Sequence, residues 1–221
     1  MWQKEAMINA AVNMLPSHVR YVTWIDHDMM LHNANWLSES VAMLDNGSPA
    51  VQLLDRIHYQ RSDGVVDRSL PSGVAGEGGN PGGAWITTRD LFKWVDGLTP
   101  FHITGGGDQP WYYALTGKSK PKWTQRLPNK LETHTKRHMA DIMNAIDGKR
   151  ATFVAGDAVH LYHGDKKHRQ YRSRIELLVR ADYDPTTDVV VDANGLLRWD
   201  SDKPTLHREV MQFFTNRKED G

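Results

Sequence analysis

The stretch Tyr21-Val22-Thr23-Trp24-Ile25-Asp26-His27-Asp28 joins a short apolar run to two carboxylates. Aromatic and β-branched residues in so short a run are typical of a buried strand. Because side chains alternate along a strand, we expect Asp26 and Asp28 on one side and His27 on the other. Neighbouring carboxylates repel, and a divalent cation between them and an anionic ligand keeps both ionised. A solvated strand end or a helix cap is the alternative interpretation.

The composition limits the kinds of protein that this chain can be. Its 221 residues suffice for one domain with its own core, and the lack of Cys excludes disulfides, thiol nucleophiles and Cys-ligated metals. The 27 basic and 27 acidic residues cancel, so no overall field attracts nucleic acid or an anionic membrane. No apolar run approaches about 18 residues and no hydrophobic signal core is present, so we expect a soluble, cytoplasmic protein.

The periodicity of the chain predicts an α/β domain. A helix over 3–15, the strand at 21–25, a helix capped by Asn33 or Asn35 and a strand at 51–54 follow in the order typical of a parallel sheet. The same reasoning predicts further helices over 90–95, 131–146, 169–181 and 203–217, and strands at 85–87, 101–103, 151–155 and 158–162. Between the last two helices we expect an acidic loop without calcium-loop spacing.

Residues 61–83 interrupt this order. They contain seven Gly and two Pro and few apolar anchors, which predicts a long loop. Because loops longer than about 12–15 residues in compact domains are usually functional or disordered, we interpret this one as a flexible active-site flap within a single domain spanning 1–221. A passive insertion is the alternative.

Two later segments carry residues suited to chemistry. The glycines of Gly105–Asp108 let the backbone approach a ligand closely, and Asp108 stands near a predicted helix start; a plain helix cap is the alternative. His160 and His163 stand at a strand end that turns, where both imidazoles can converge on one ion; a solvated strand end is the alternative. Imidazole with carboxylate suits Mn²⁺ better than Ca²⁺.

In this order, the D-x-D, the Gly-Gly-Gly-Asp and the histidines with a basic tail resemble glycosyltransferases of the GT-A type. Residues 84–90 with Gly105–Asp108 look like the galactosyltransferase-like C-terminal module, and 163–169 look like its H-x-[DR]-[KR]-[KN] tail. A broader resemblance to glycosyltransferase-like proteins of phages and bacteria covers almost the whole chain. The resemblance implies a GT-A-like, Rossmann-related mixed sheet flanked by helices. We expect it to lack the usual first βα unit or units, because the strand with the D-x-D begins already at Tyr21.

The resemblance also implies an activity. It is the metal-dependent, inverting transfer of a hexosyl or N-acetylhexosaminyl group from a nucleotide-sugar, UDP-linked, to an acceptor hydroxyl. The acceptor stays open between a glycan, a lipid, a protein and a modified nucleobase. The implied metal is Mn²⁺ or Mg²⁺, with Asp28, His163 and His160 as ligands, and the implied base is Asp108. Asp26 is expected to hold ribose, sugar or a metal-bound water.

The remaining implied donor-binding residues are basic or aromatic. Lys166, Lys167 and Arg169 are placed to meet phosphate oxygens. Trp85, Trp111 and Tyr112 are expected to be sugar platforms, although Trp is also common in cores.

One departure from the family pattern and two rival functions stay open. Gly-Gly-Gly-Asp keeps one acid where the module has Gly-Glu-Asp or Gly-Gly-Glu-Asp. A truncated, non-catalytic member that binds sugar or metal is the first rival. An Fe(II) oxygenase is the second, because Asp28 with His160 and His163 makes a 2-His-1-carboxylate set, although such enzymes need a β-rich barrel.

Overall fold

The computed structural model describes residues 1–118, 124–164, 168, 170 and 173–217, and these form a mixed α/β fold. Its helices are α1 (Lys4–Met14), α2 (Trp36–Asp45), α3 (Arg89–Trp94), α4 (Asp108–Thr116), α5 (Asn129–Ala145), α6 (Ser173–Arg180) and α7 (Pro204–Asn216). Its strands are β1 (Tyr21–Ile25), β2 (Met29–Leu31), β3 (Ala50–Gln52), β4 (Arg56–Gln60), β5 (Val66–Pro71), β6 (Ala84–Thr88), β7 (Thr152–Phe153), β8 (Asp157–His160), β9 (Val189–Val191) and β10 (Leu197–Trp199).

Two four-stranded sheets form the centre of the fold. The first sheet has the order β1-β6-β3-β7, in which β6 is antiparallel to both of its neighbours and β3 is parallel to β7. The second sheet has the order β2-β8-β4-β5, with β8 parallel to β4 and the other two pairs antiparallel. Strands β9 and β10 form a separate hairpin.

The chain passes from the first sheet to the second three times, each time through a link of three residues. The links are residues 26–28 between β1 and β2, 53–55 between β3 and β4, and 154–156 between β7 and β8. Backbone hydrogen bonds continue across them: Asp26 N–H donates to the Gly83 carbonyl at 2.7 Å, and Val154 N–H donates to the Gln52 carbonyl at 2.9 Å. The two sheets therefore meet along a hydrogen-bonded junction, and the D-x-D lies in it.

Local sequence explains most of the elements around this junction. Strand β6 is buried along nearly its whole length, as its apolar sequence predicts. The Thr88 hydroxyl accepts a hydrogen bond from Leu91 N–H and so caps α3. Apolar side chains of α3, α4 and α5 pack against the first sheet, and α2 packs against the sheet junction. A third cluster unites α5, α6 and α7 with the β9–β10 hairpin.

The expectation of a parallel sheet was wrong. Strands β1 and β3 are not neighbours, because β6 enters between them and pairs antiparallel with both. Strands β1 and β3 therefore share β6 as a common partner, and the first sheet is mixed. Among the described residues, no helix has the length and apolar character needed to cross a membrane.

Three segments predicted as irregular or extended differ in the structure. Val66–Pro71, inside the expected long loop over 61–83, is strand β5 and pairs with β4. Residues 101–103, expected as a strand, form turns instead. The expected acidic loop contains the β9–β10 hairpin. The first and third errors share a cause, because pairing with a partner strand overrides the local composition.

The rest of the Gly-rich segment is tied to the core by polar groups. Buried Gln52 donates to the carbonyls of Asn80 and Gly82 at 2.8 and 3.1 Å, and its own oxygen accepts from Val74 N–H at 3.0 Å. The Tyr112 hydroxyl donates to the Gly73 carbonyl at 3.1 Å. The motion of this segment as a flap stays a prediction.

Two tryptophans at opposite extremes of burial test the packing of the first sheet. Trp111 is 1% exposed and contacts Trp24 edge-on at 5.5 Å between ring centroids, whereas Trp94 is 82% exposed. We expect Trp111→Ala to lower the free energy of unfolding by about 3–5 kcal/mol, because it leaves a cavity that the core cannot fill. Trp94→Ala should change it by no more than about 0.5 kcal/mol. Urea denaturation measures both, and equal effects would contradict this packing.

Candidate functional site

The D-x-D lies in a tight turn, not at an extended strand end. The Asp26 carbonyl accepts from Met29 N–H at 3.0 Å, so the chain reverses between β1 and β2. The prediction that Asp26 and Asp28 share a side by strand alternation therefore does not apply. Beyond the turn, Met29 pairs with His160, and Leu161 N–H donates to the Asp28 carbonyl at 2.8 Å. This pairing brings Asp28 beside the end of β8.

Asp28, His160 and His163 form one cluster, as the sequence predicted. The Asp28 Oδ2 lies 3.1 Å from His163 Nε2 and 3.8 Å from His160 Nε2. One ligand atom from each of the three residues lies within 4.8 Å of the other two, which is close enough for a shared ion. The cluster combines residues that are far apart in the chain and that meet only through the β2–β8 pairing.

The donor atoms of this cluster fit a divalent cation. Asp28 is 8% exposed, and its Oδ1 is buried without a hydrogen-bond partner among the described residues, which is costly for a carboxylate oxygen unless a cation sits beside it. The His160 Nδ1 lies 2.9 Å from the Leu161 carbonyl, which can only accept. We therefore assign the proton of neutral His160 to Nδ1, which leaves Nε2 available as a ligand.

Asp26 has a different partner. Its Oδ1 lies 2.6 Å from the Lys4 ammonium group on α1, so a lysine, rather than a shared metal, compensates this carboxylate. Burial raises the pKa of Asp26, and the charge of Lys4 opposes that rise. Burial also lowers the pKa of Lys4, but the carboxylates of Asp26 and then Asp108 outweigh it and raise this pKa to about 12. Of the two D-x-D carboxylates, only Asp28 belongs to the cluster with His160 and His163.

A pocket of about 1040 Å³ opens beside the cluster, where the two sheets and α1 meet. Asp26, Asp28 and Asp108 all line it, together with His160 and His163. Its other polar or aromatic lining residues are Trp2, Lys4, Glu5, Thr23, Trp24, His27, Tyr59, Arg68, Asn80 and Arg217. Its size is in the range of about 300–1,000 Å³ that small-molecule sites occupy.

Asp108 is the first residue of α4, where the free N–H groups of a helix start favour an ionised carboxylate. The preceding Gly105 and Gly106 have φ of +91° and +101°, which glycine adopts at little cost. Gly107 is constrained by space instead, because a Cβ there would lie 2.6 Å from the carboxyl carbon of Glu5. The Glu5 carboxyl group on α1 therefore occupies the space that any side chain at position 107 would need.

Glu5 is a fourth acid in the pocket, beside Asp26, Asp28 and Asp108, and it was not predicted from the sequence. It is 2% exposed. Burial raises the pKa of its carboxyl to about 7, Lys4 opposes this rise, and Asp108 adds to it. Glu5 and Asp108 therefore place two carboxyl groups from two different helices in the same pocket.

The predicted aromatic platforms lie elsewhere. Trp85, Trp111 and Tyr112 are buried in the core against the first sheet and do not line the pocket. The Trp85 indole donates to the Pro81 carbonyl at 3.0 Å, so Trp85 supports the Gly-rich segment. The predicted phosphate-binding Lys166, Lys167 and Arg169 lie outside the described residues.

The residues that sequence reasoning missed are Lys4, Glu5, Tyr59 and Arg68. Lys4 and Glu5 look like ordinary surface residues of an N-terminal helix, and only the contact of α1 with β1 and α4 brings them to the pocket. Tyr59 belongs to β4, and Arg68 belongs to the strand β5 that was taken for a loop. Tyr59 reaches the pocket only through the pairing of β4 with β8, which joins distant segments of the chain.

The buried carboxyl of Glu5 makes stability depend on pH. Its pKa is 4.5 in the unfolded chain and about 7 in the fold, so the folded state binds this proton more tightly. The wild-type protein therefore loses stability between pH 4.5 and about pH 7, and the loss persists at higher pH. Glu5→Gln should remove this loss, which amounts to roughly 3 kcal/mol at about 1.4 kcal/mol per pKa unit.

Urea denaturation from pH 4 to pH 8 in the presence of a chelator measures this effect. Exposed Glu176 on α6 supplies the control, since Glu176→Gln should give a curve parallel to that of the wild-type protein. Parallel curves for Glu5→Gln and wild type would show that Glu5 has no raised pKa.

Comparisons with known proteins give this site no precedent. No family model matches the chain, and no curated protein or solved structure is detectably similar to it. Its function is therefore argued from the pocket and the residues that line it.

Proposed function

We propose that this protein is a metal-dependent glycosyltransferase that moves a sugar from a nucleotide-sugar, UDP-linked, to an acceptor hydroxyl. One observation carries the proposal. The three residues that the resemblance assigns to the metal converge in one cluster, and this cluster shares a pocket with Asp26 and Asp108. The GT-A assignment of the mixed fold is part of the proposal.

The metal would be held by Asp28, His160 and His163. Asp28 contributes an anionic oxygen, and each histidine contributes a neutral ring nitrogen, a set that suits Mn²⁺ and is compatible with Mg²⁺. Such a cation, when bound, supplies Lewis-acid stabilisation of the charge that develops on a leaving diphosphate. Lys4 adds a positive charge to the same pocket. Its partner Asp26 would accept hydrogen bonds from the hydroxyl groups of ribose or sugar.

Asp108 would be the base. Its carboxylate takes the proton of the acceptor hydroxyl as the acceptor oxygen bonds to the anomeric carbon of the donor sugar. The bond from that carbon to the diphosphate oxygen breaks, and the electron pair leaves with the nucleoside diphosphate. Because the base and the leaving group lie on opposite sides of the carbon, the configuration inverts. Asp108 stands at the start of α4 and lines the same pocket as the cluster.

Metal binding is tested first by thermal denaturation with Mn²⁺ and UDP. At about 100 times the dissociation constant, ligand binding stabilises by about 2.7 kcal/mol, which raises Tm by roughly 5–10 °C in a chain of this size. Asp28→Asn and His163→Ala should each abolish this rise, because each removes a ligand.

His58→Ala is the matched control, since His58 pairs with Asp157 at 3.0 Å in the same sheet but lies outside the cluster. It should keep the full shift. An unchanged shift in both ligand variants would place the metal elsewhere, and no Mn²⁺-dependent shift in the wild-type protein would refute the metal-dependent function.

Catalysis is tested by the release of UDP from UDP-sugars in the presence of Mn²⁺. Asp108→Asn should lower the turnover roughly 10²- to 10⁴-fold, the usual loss with a general base, while UDP binding stays unchanged. Asp90→Asn is the control, because exposed Asp90 lies in the first turn of α3 as Asp108 lies in the first turn of α4, but Asp90 lies outside the pocket. Binding of UDP and Mn²⁺ without turnover of any UDP-sugar by the wild-type protein would favour the alternative, a non-catalytic sugar- or metal-binding member of the same fold.

The cluster also has the composition of a 2-His-1-carboxylate iron site. The described strands do not favour that function, because the two main sheets each have two free edges and include a parallel pair rather than closing into a barrel. Oxygen consumption with Fe(II), in the absence of any response to Mn²⁺ and UDP, would favour the oxygenase.

A further inference from the structure

A row of side chains crosses the second sheet from its edge strand β5 to the metal cluster. Directly paired residues of adjacent strands lie side by side on one face, and the register pairs Arg68 with Tyr59 and Tyr59 with His160. The Arg68 guanidinium carbon lies 4.2 Å from the centroid of the Tyr59 ring. That ring lies 5.0 Å from the His160 ring, which stacks on His163 at 4.7 Å. One aromatic ring therefore separates Arg68 from a metal ligand.

The row holds Arg68 in place. A guanidinium over a tyrosine face is attracted by the negative face of the ring. The Tyr59 hydroxyl accepts a hydrogen bond from the Asn80 amide, so the ring itself is anchored to the Gly-rich segment. An arginine fixed in this way loses less side-chain freedom when it binds a ligand.

The charge of Arg68 lacks a counterion in the part of the chain that the structure describes. Arg68 lines the pocket and forms no ion pair with any described carboxylate. Lys4, in contrast, is already paired with Asp26. A divalent cation at the cluster would repel the guanidinium, whereas an anion between them would attract both. The guanidinium fork matches the oxygens of a phosphate group.

We propose that Arg68 is an anion-binding residue that takes phosphate oxygens of a diphosphate seated at the Asp28–His160–His163 cluster. This inference rests on the proposed function for the identity of the anion, and it assigns to the β4–β5 hairpin a part of donor binding that the resemblance does not assign to it. In this arrangement the diphosphate has the metal on one side and Arg68 on the other. The hairpin would then select ligands that carry two phosphoryl groups.

Calorimetric titration of inorganic pyrophosphate, with and without Mn²⁺, tests the proposal on three proteins. They are the wild type, Arg68→Ala and Arg61→Ala, and Mn²⁺ alone is titrated into each. Arg61 is the matched control, because it lies in the same hairpin, pairs with Asp63 at 2.7 Å and does not line the pocket. Arg68 is exposed, so its removal should leave the fold intact.

We expect Arg68→Ala to bind Mn²⁺ like the wild type but to bind pyrophosphate about tenfold more weakly, since a charge-assisted hydrogen bond is lost. Arg61→Ala should behave like the wild type.

Equal pyrophosphate affinity for Arg68→Ala and the wild type would overturn the inference and leave the metal-dependent function standing. Pyrophosphate binding that needs Arg68 but not Mn²⁺ would support the inference and count against the metal-dependent function. No pyrophosphate binding by the wild type would overturn the inference, while the Mn²⁺ titration would still report on the metal cluster.

Discussion

The register of the pairing between β2 and β8 is the constraint on which the site depends. Met29 lies opposite His160, and the hydrogen bond from Leu161 N–H to the Asp28 carbonyl extends that pairing by one step. A slip of one residue would turn His160 to the other face of the sheet and separate it from Asp28. The same slip would break the contact of Tyr59 with His160, because β8 also pairs with β4. The Asp28–His160–His163 cluster and the aromatic row thus depend on one register.

The acids of the pocket are compatible with folding because a different feature of the structure offsets the cost of burying each carboxyl group. Asp26 has the Lys4 ammonium group at 2.6 Å, and Asp108 has the start of α4. Glu5 lies deeper, and its raised pKa means that a proton offsets part of its burial near neutral pH. Asp28 and Glu5 each keep one buried carboxylate oxygen without a hydrogen-bond partner among the described residues. The raised pKa of Glu5 offsets its burial, whereas Asp28 lies beside the two histidines.

Sequence alone predicted the elements whose causes are local. The helix after Thr88, the strands β1 and β3 that precede and follow α2 in the chain, and the amphipathic α5 follow from local periodicity, and they are present. The insertion of β6 between β1 and β3 was not predicted, because strand order depends on contacts between distant segments. The convergence of Asp28 with both histidines was expected from motif order, and the structure confirms their proximity. The burial of Trp85, Trp111 and Tyr112 was not predicted, since composition does not distinguish an aromatic side chain buried in the core from one exposed in a pocket.

The pocket has two halves, and the Gly-rich segment sets the distance between them. The metal cluster belongs to the second sheet, whereas Asp108 and Glu5 belong to helices packed on the first. Gly82 separates the halves, because any Cβ at this position would collide with the Asp108 carboxylate. The neighbouring Gly83 carbonyl accepts from Asp26 N–H. Both glycines stay in place because Gln52, buried in β3, holds the carbonyls of Asn80 and Gly82. A core amide of the first sheet therefore helps to set the spacing between the Asp108 carboxylate and the Asp28–His160–His163 cluster.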